Sequence, residues 1–166
     1  YKPIIVAVNG ICIGAGFHWV ADADIVIASE NAVFFDTHVN VGQVAALEPI
    51  ALTRKIPTNI VLQMFLMGSH YRMDAKRAYE VGLVNQVVPL KDLMPTATKI
   101  AEAIASNSPL SVSLTKEATW RGLDLPLDKA LEMGTHVIAD SWGEYDQIEG
   151  PKAFAEKRQP QWKGRG

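Results

Sequence analysis

A short turn with two glycines, Gly14-Ala15-Gly16, lies between a β-branched run that ends at Ile13 and a predicted helix that begins at Phe17. Such a turn presents main-chain N–H groups at the positive end of a helix, where negative charge is favoured. Three interpretations follow: a dinucleotide-binding fingerprint, an oxyanion hole in which the Ala15 N–H meets a polarised carbonyl oxygen, and a tight turn without chemistry. The fingerprint is disfavoured because Trp19 stands where its third glycine is needed.

The elements around this turn indicate a layered α/β core that is followed by helices. Runs of β-branched residues predict strands at 4–8, 11–13, 24–28 and 33–35, with a helix at 17–23 between the second and the third. Apolar spacing, proline and glycine then predict helices at 50–55, 59–66 and 73–81, a strand at 83–88, and helices at 93–105, from 108, at 127–138 and at 151–157. Strand, crossover helix and strand in this order are typical of α/β proteins.

Composition and net charge give no support for a nucleic-acid-binding, membrane or disulfide-rich protein. The chain has 166 residues and a formal net charge of −2, which gives no electrostatic basis for binding nucleic acid or an anionic membrane. One cysteine, Cys12, excludes an intrachain disulfide framework and fits a reducing compartment, so we expect a cytoplasmic protein with no membrane segment. The chain enters a strand almost at Tyr1, and we expect an upstream part of a longer protein.

Several segments together resemble the crotonase (enoyl-CoA hydratase/isomerase) superfamily. They occur in the family's order along nearly the whole chain: KPIIVAVNG at 2–10, GAG at 14–16, ADADIVIA at 21–28, GLVNQVVP at 82–89, ASNSPL at 105–110, KEA at 116–118 and EGPKAFAEKR at 149–158. The resemblance implies an α/β fold: a crotonase-like ββα spiral core, of which residues 1–90 are the C-terminal part, and a helical trimerisation region at 91–166. It also implies an acyl-CoA substrate, no further cofactor, and a homotrimer or hexamer.

The resemblance further implies that the Ala15 amide is one of two that stabilise a thioester enolate, the other lying upstream of Tyr1. Gly14 and Gly16 would border the substrate. In the closing helix, Phe154 and Lys157 match a phenylalanine and a lysine that the family directs toward CoA. Lys157 is equally open to interpretation as part of a solvated helix face.

Two histidines replace the two catalytic glutamates of the hydratases. The family's first glutamate follows the glycine turn by two residues and the second follows twenty later, and these places hold His18 and His38. The pair could be general acid/base groups, because imidazole exchanges protons near neutral pH. It could bind a metal with Asp36 or Glu48, although the family's chemistry needs none. It could also line the pocket without chemistry.

Four neighbours complete the candidate site. His18 is expected in the first helical turn, where the helix dipole favours a neutral imidazole, and Asp36 or Glu48 would orient His38. Glu48 replaces the family's next glycine turn and is either catalytic or a helix N-terminal acid. Phe17 and Trp19 could wall the acyl pocket, although aromatic residues beside a turn are usually core.

These observations predict an acyl-CoA-transforming enzyme, a lyase or isomerase of the hydratase/isomerase family, with a backbone oxyanion hole and a histidine pair. Hydration of an enoyl-CoA is the default reaction. Hydrolysis of a thioester or C–C bond by the same fold, and acyl-CoA binding without catalysis, remain alternatives.

Overall fold

A computed structural model describes residues 1–164 of the chain. The chain forms two compact units: Ile4–Lys99, and a helical unit made of Tyr1–Pro3 together with the chain from Ile100 onward. Among the described residues, no helix combines the length and the apolar character that crossing a bilayer requires.

The first unit contains two three-stranded sheets. Strands β1 (Ile5–Val8), β3 (Ile25–Ser29) and β6 (Gln86–Val88) are all parallel, and β3 lies in the centre. The other sheet places β4 (Val33–Phe35) between β2 (Ile11–Ile13), which is parallel to it, and β5 (Met73–Asp74), which is antiparallel. Successive strands β1 and β2, and then β3 and β4, therefore contribute one strand to each sheet.

Four helices belong to this unit: α1 (Gly16–Asp22), α2 (Leu47–Leu52), α3 (Thr58–Met67) and α4 (Ala75–Glu80). Helix α4 ends at Glu80, and Gly82, two residues beyond, has a φ of +85° that suits glycine and turns the chain away from the helix. The strand predicted at 83–88 is three residues shorter, because the N–H groups of Leu83 and Val84 bond to the Ala78 carbonyl at the helix end instead.

The core of the unit is built around Phe17, which is fully buried. Its ring lies 6.5 Å from that of Phe34 and 5.4 Å from that of Phe65, centroid to centroid. Side chains from α1, β4 and α3 therefore meet at one point. Burial of a side chain of this size contributes on the order of 2–3 kcal/mol, so the core fixes the helix that follows the glycine turn.

The chain continues through four further helices: α5 (Leu93–Ala105), which crosses from one unit to the other, α6 (Pro109–Gly122), α7 (Leu127–Ser141) and α8 (Tyr145–Ala155). Helix α6 begins as the sequence predicts, with Pro109 in its first turn and the Ser108 hydroxyl accepting from the Ser111 N–H at 3.2 Å. Helix α8 begins six residues before Pro151, which lies inside the helix.

Candidate functional site

The glycine turn forms the N-terminal end of helix α1. Gly14 has a φ of +50°, a conformation that favours glycine, and its carbonyl accepts from the Phe17 N–H at 2.9 Å. The His18 N–H bonds to the Ala15 carbonyl at 3.2 Å. Ala15 and Gly16 stand at the start of α1, where the helix dipole is positive.

Gly16 also needs to be small. A Cβ on Gly16 would lie 3.2 Å from the Cys12 Sγ, so the helix start packs directly against β2. Burial raises the pKa of the Cys12 thiol to about 11, which leaves it protonated at neutral pH. Cys12 therefore packs beneath the turn rather than acting as a nucleophile.

His38 is held by Asp36 through two hydrogen bonds. The fully buried carboxylate accepts the His38 main-chain N–H at 2.8 Å through Oδ2, and its Oδ1 lies 2.7 Å from the ring Nδ1. Because a carboxylate only accepts hydrogen bonds, Nδ1 is the protonated nitrogen and Nε2 carries the lone pair of the neutral ring. The ring keeps 24% of its surface exposed.

The environment of His38 makes it a stronger base. The hydrogen bond to Asp36 raises the pKa of His38 above its ordinary value, partial burial lowers it, and the negative charges of Asp36 and Glu48 raise it further. The net shift is upward. A base in this arrangement removes a proton from water or substrate more readily than free imidazole does.

His18 has a carboxylate of its own. Its Nε2 lies 3.0 Å from Oε1 of Glu48, a buried residue in the first turn of α2. The His18 side chain is 46% exposed. Of the two acids that the sequence offers for orienting His38, Asp36 makes the contact, and Glu48 contacts the other histidine.

Both imidazole–carboxylate pairs lie beside the glycine turn. A Cβ built on Gly14 would lie 3.8 Å from Cε1 of His38, and His18 is the third residue of the helix that the turn begins. The charge of Glu48 acts on the pKa of His38 as well as contacting His18. The turn, the two rings and the two acids thus form one cluster.

The aromatic residues near the turn have different positions. Phe17 is buried in the core and Trp19 is 71% exposed. Their assignment as walls of an acyl pocket stays a prediction. Phe154 and Lys157 belong to the helical unit, where both are exposed, and their contact with CoA also stays a prediction.

Two side chains, Lys55 and Asn40, hold the elements of this cluster in place through hydrogen bonds that the sequence does not predict. The ammonium of Lys55 donates to the carbonyls of Val20, at 2.9 Å, and of Ala23, so it caps the C-terminal end of α1. Asn40 accepts from the Ser69 N–H at 2.8 Å and so anchors the short 3-10 turn that follows His38. Both contacts join segments about thirty residues apart. The periodicity of apolar residues within one element gives no information about contacts over such a separation.

Known proteins match the chain over its length. A family model described as enoyl-CoA hydratase/isomerase matches residues 1–165. A probable mitochondrial enoyl-CoA hydratase of Dictyostelium discoideum is 38% identical over 97% of this chain and 58% of its own length. An (E)-benzylidenesuccinyl-CoA hydratase of Thauera aromatica is 40% identical over 99% of this chain and 64% of its own. The chain thus spans about three-fifths of these relatives.

Solved structures of enoyl-CoA hydratases and isomerases also resemble this chain. The crystal structure of an enoyl-CoA hydratase/isomerase from Mycobacterium paratuberculosis superimposes with a TM-score of 0.95 at 48% identity, covering 99% of this chain and 65% of that one. An enoyl-CoA hydratase from Bacillus anthracis superimposes with a TM-score of 0.93 at 36% identity, covering 99% and 63%. The fold, the family match and the identities agree, and the chain belongs to the enoyl-CoA hydratase/isomerase family.

Proposed function

We propose that this chain carries the proton-transfer groups of an acyl-CoA hydratase in which two imidazole–carboxylate pairs replace the hydratase glutamates. The observation that carries the proposal is the arrangement of His38 on Asp36 and His18 on Glu48 around one glycine turn. Relatives named as a dehydratase and a hydratase of different CoA thioesters, carnitinyl-CoA dehydratase and mevalonyl-coenzyme A hydratase, support the reaction class, because both names describe loss or addition of water.

In this proposal, His38 Nε2 accepts a proton from water while the water oxygen bonds to the β-carbon of an enoyl thioester. The electron pair of the double bond moves to the thioester oxygen, and the enolate so formed is stabilised by the Ala15 N–H at the positive end of α1. His18 enters the step as the imidazolium, with its Nε2–H donated to Glu48, and delivers its Nδ1 proton to the α-carbon, which leaves the ring neutral. The proton taken up by His38 is then released to solvent and His18 takes one up, which restores both groups for the next turnover. Water is thereby added across the double bond, with its oxygen on the β-carbon and a proton on the α-carbon.

The test is turnover on a panel of enoyl-CoA thioesters, with loss of the conjugated double bond followed by absorbance and release of free CoA followed separately. Replacement of both His18 and His38 by alanine should lower kcat/KM at least about a hundredfold. The matched control replaces His70 and His136, which are exposed, and should leave kcat/KM unchanged.

An effect below twofold for the His18/His38 variant would contradict the catalytic role. Release of free CoA without hydration would favour thioester hydrolysis, because the same activated water would then attack the carbonyl. Binding of acyl-CoA without turnover on any member of the panel would favour a non-catalytic family member.

We also propose that residues 1–90 are part of a ββα spiral and that residues 91–166 form the oligomerisation and CoA-covering region. The repeated order β1, β2, α1 and then β3, β4, α2 supports the spiral. The region's role in assembly is supported by an apolar stripe on α7, defined by Leu127, Leu131 and Ile138 on the helix and Trp142 at its end, all of them exposed. The proposed assembly is a homotrimer or a hexamer.

A further inference from the structure

Glu48 is the acid of the candidate site that acts on both imidazoles. Its carboxylate is buried in the first turn of α2, and its Oε1 lies 3.0 Å from Nε2 of His18. The hydrogen bond to Asp36 is the largest cause of the raised pKa of His38, partial burial opposes it, and the charges of Asp36 and Glu48 add to it. Asp36 is committed to His38 through both of its oxygens. Glu48 thus belongs to two pairs rather than to one.

The position of Glu48 is fixed, whereas the protons around it are free to move. Leu52, one turn further along α2, is fully buried, and α2 packs against α1, the helix that carries His18. The His18 side chain is 46% exposed and that of His38 is 24% exposed, so both rings reach solvent or substrate. The carboxylate is therefore a stationary negative charge beside two groups that gain and lose protons.

In the proposed hydration, one ring is protonated before the proton transfers and the other ring is protonated after them. His18 begins as the imidazolium and gives its proton to the α-carbon. His38 begins neutral and takes a proton from the water that bonds to the β-carbon. One imidazolium stands against the two carboxylates of Asp36 and Glu48 in both states, so the net charge of these four groups does not change.

We propose that Glu48 is a shared counter-ion that couples the two rings: it balances the imidazolium of His18 before the transfers and the imidazolium of His38 after them. This inference rests on the proposed function, since it takes both rings to exchange protons with one substrate. When the positive charge leaves His18, a proton on His38 becomes more stable, and each transfer thereby favours the other. Glu48 acts through the rings and is a positioning residue.

The other groups that face His38 do not link it to His18. Cys12, beneath the glycine turn, stays protonated at neutral pH because burial raises the pKa of its thiol to about 11. Helix α3 packs against the short turn after His38 and has no charged residue in its sequence. A second 3-10 turn packs there too and carries His70, which is exposed. Of the groups around His38, Glu48 is the one that also contacts His18.

The first test is the titration of the His38 ring, followed by nuclear magnetic resonance in the ligand-free protein. Glu48→Gln should lower the pKa of His38, because one of the charges that raise it is removed. Glu48→Asp keeps that charge and should keep most of the elevation. His18→Gln should raise the pKa of His38, because a neighbouring positive charge no longer opposes its protonation. Glu30→Gln, an exposed acid outside the site, is the matched control and should leave the titration unchanged.

The coupling itself is measured by the double variant His18→Gln/Glu48→Gln. In this proposal Glu48 holds the proton on His18, so the His18 ring carries less positive charge once Glu48 is neutral. Replacement of His18 should therefore raise the pKa of His38 less in the Glu48→Gln background than in the wild type. Additive effects would mean that the two charges act on His38 independently, which contradicts the coupling.

A kinetic measurement separates this coupling from a purely structural role of Glu48. Glu48→Gln should lower kcat on an enoyl-CoA between about tenfold and a hundredfold, leave Kd for an unreactive acyl-CoA unchanged, and move the acid limb of kcat/KM to lower pH. Glu48→Asp should recover most of the rate. A weaker Kd and a lower unfolding temperature with an unmoved acid limb would show that Glu48 only holds α2 against α1.

Failure of this inference and failure of the proposed function give different results. If Glu48→Gln and His18→Gln both leave the His38 titration unchanged, the coupling is wrong, and the proposed function stands on the activity of the two rings. If the variant with alanine at both His18 and His38 keeps its activity, the proposed function falls. This inference then falls with it, whatever the titrations show.

Discussion

At the scale of single residues, the chemistry depends on which ring nitrogen carries a proton. Asp36 determines the tautomer of neutral His38, because its carboxylate accepts the Nδ1–H at 2.7 Å and leaves Nε2 as the basic nitrogen. Glu48 occupies Nε2 of His18 at 3.0 Å, so the other nitrogen, Nδ1, is left for proton transfer there. The two imidazoles are therefore held by opposite nitrogens, and they are not interchangeable in a mechanism.

Replacement of Asp36 by asparagine should change both the rate and its pH dependence. In the proposed mechanism the neutral form of His38 is the base, so we expect activity to rise as pH increases through the pKa of His38, which Asp36 raises. Without the carboxylate, the acid limb of kcat/KM against pH should move to lower pH. The plateau should fall by about two to four orders of magnitude, because Nδ1–H is no longer favoured.

Asp22→Asn is the control for this prediction, since Asp22 is an exposed acid on α1. Its pH profile should overlay that of the wild type. An acid limb that stays in place in Asp36→Asn would mean that His38 is not the group whose titration limits activity.

At the scale of secondary structure, hydrogen bonds between segments far apart in the sequence hold the elements that carry the two histidines. Lys55 caps the end of α1, the helix that carries His18, and Asn40 anchors the turn after His38 to Ser69. Gly68, beside Ser69, has a φ of +58°, and a Cβ there would overlap the Asn40 Oδ1. Only glycine permits this approach.

Gly68→Ala should therefore lower the free energy of unfolding by about 2 kcal/mol or more, because both the backbone conformation and the space oppose a side chain. Urea unfolding followed by fluorescence measures this difference. Gly10→Ala is the matched substitution, since no atom lies within 4 Å of its Cβ and its φ is not left-handed. A Gly68→Ala protein as stable as Gly10→Ala would show that the Asn40 contact does not constrain the loop.

The sequence predicts these elements unevenly. The strands at Ile5–Val8, Ile11–Ile13 and Val33–Phe35 follow from compact β-branched runs between turn residues, and the structure confirms them within one residue. The start of α8 is wrong by six residues. Pro151 is a typical first-turn residue, but the buried Asp146 and Glu149 fix the two turns before it.

In the candidate site, the contact between residues close in sequence could be predicted, and the contact between distant residues could not. Asp36 and His38 are two residues apart, so their pairing is within reach of sequence reasoning. Glu48 and His18 are thirty residues apart and meet only because α2 packs against α1. Periodicity describes the face of one helix and carries no information on which helix will cover it.

At the scale of the whole molecule, the chain has apolar surface that its own described residues leave uncovered. The stripe on α7 includes Leu131, which is 63% exposed, and ends near Trp142, which is 69% exposed. Clustered apolar side chains of this kind are typical of surfaces that associate.

Leu131→Lys should accordingly shift the molar mass measured by light scattering from that of a trimer or hexamer toward that of a monomer, because a charge would have to be buried. Leu90→Lys, which charges an exposed leucine outside the stripe, should leave the mass unchanged. A wild-type protein that is monomeric at micromolar concentration would contradict the proposed assembly.

The central claim is that the Ala15 N–H and the two imidazoles act on one thioester. A crystal structure with a bound, unreactive acyl-CoA analogue tests it most directly. We expect the thioester oxygen about 2.7–3.1 Å from the Ala15 nitrogen, the distance of an oxyanion contact. His38 Nε2 and the His18 ring should lie on the β- and α-carbon sides, each within reach of one water or one proton transfer. An acyl group bound elsewhere, or one separated from either ring by intervening side chains, would contradict the account.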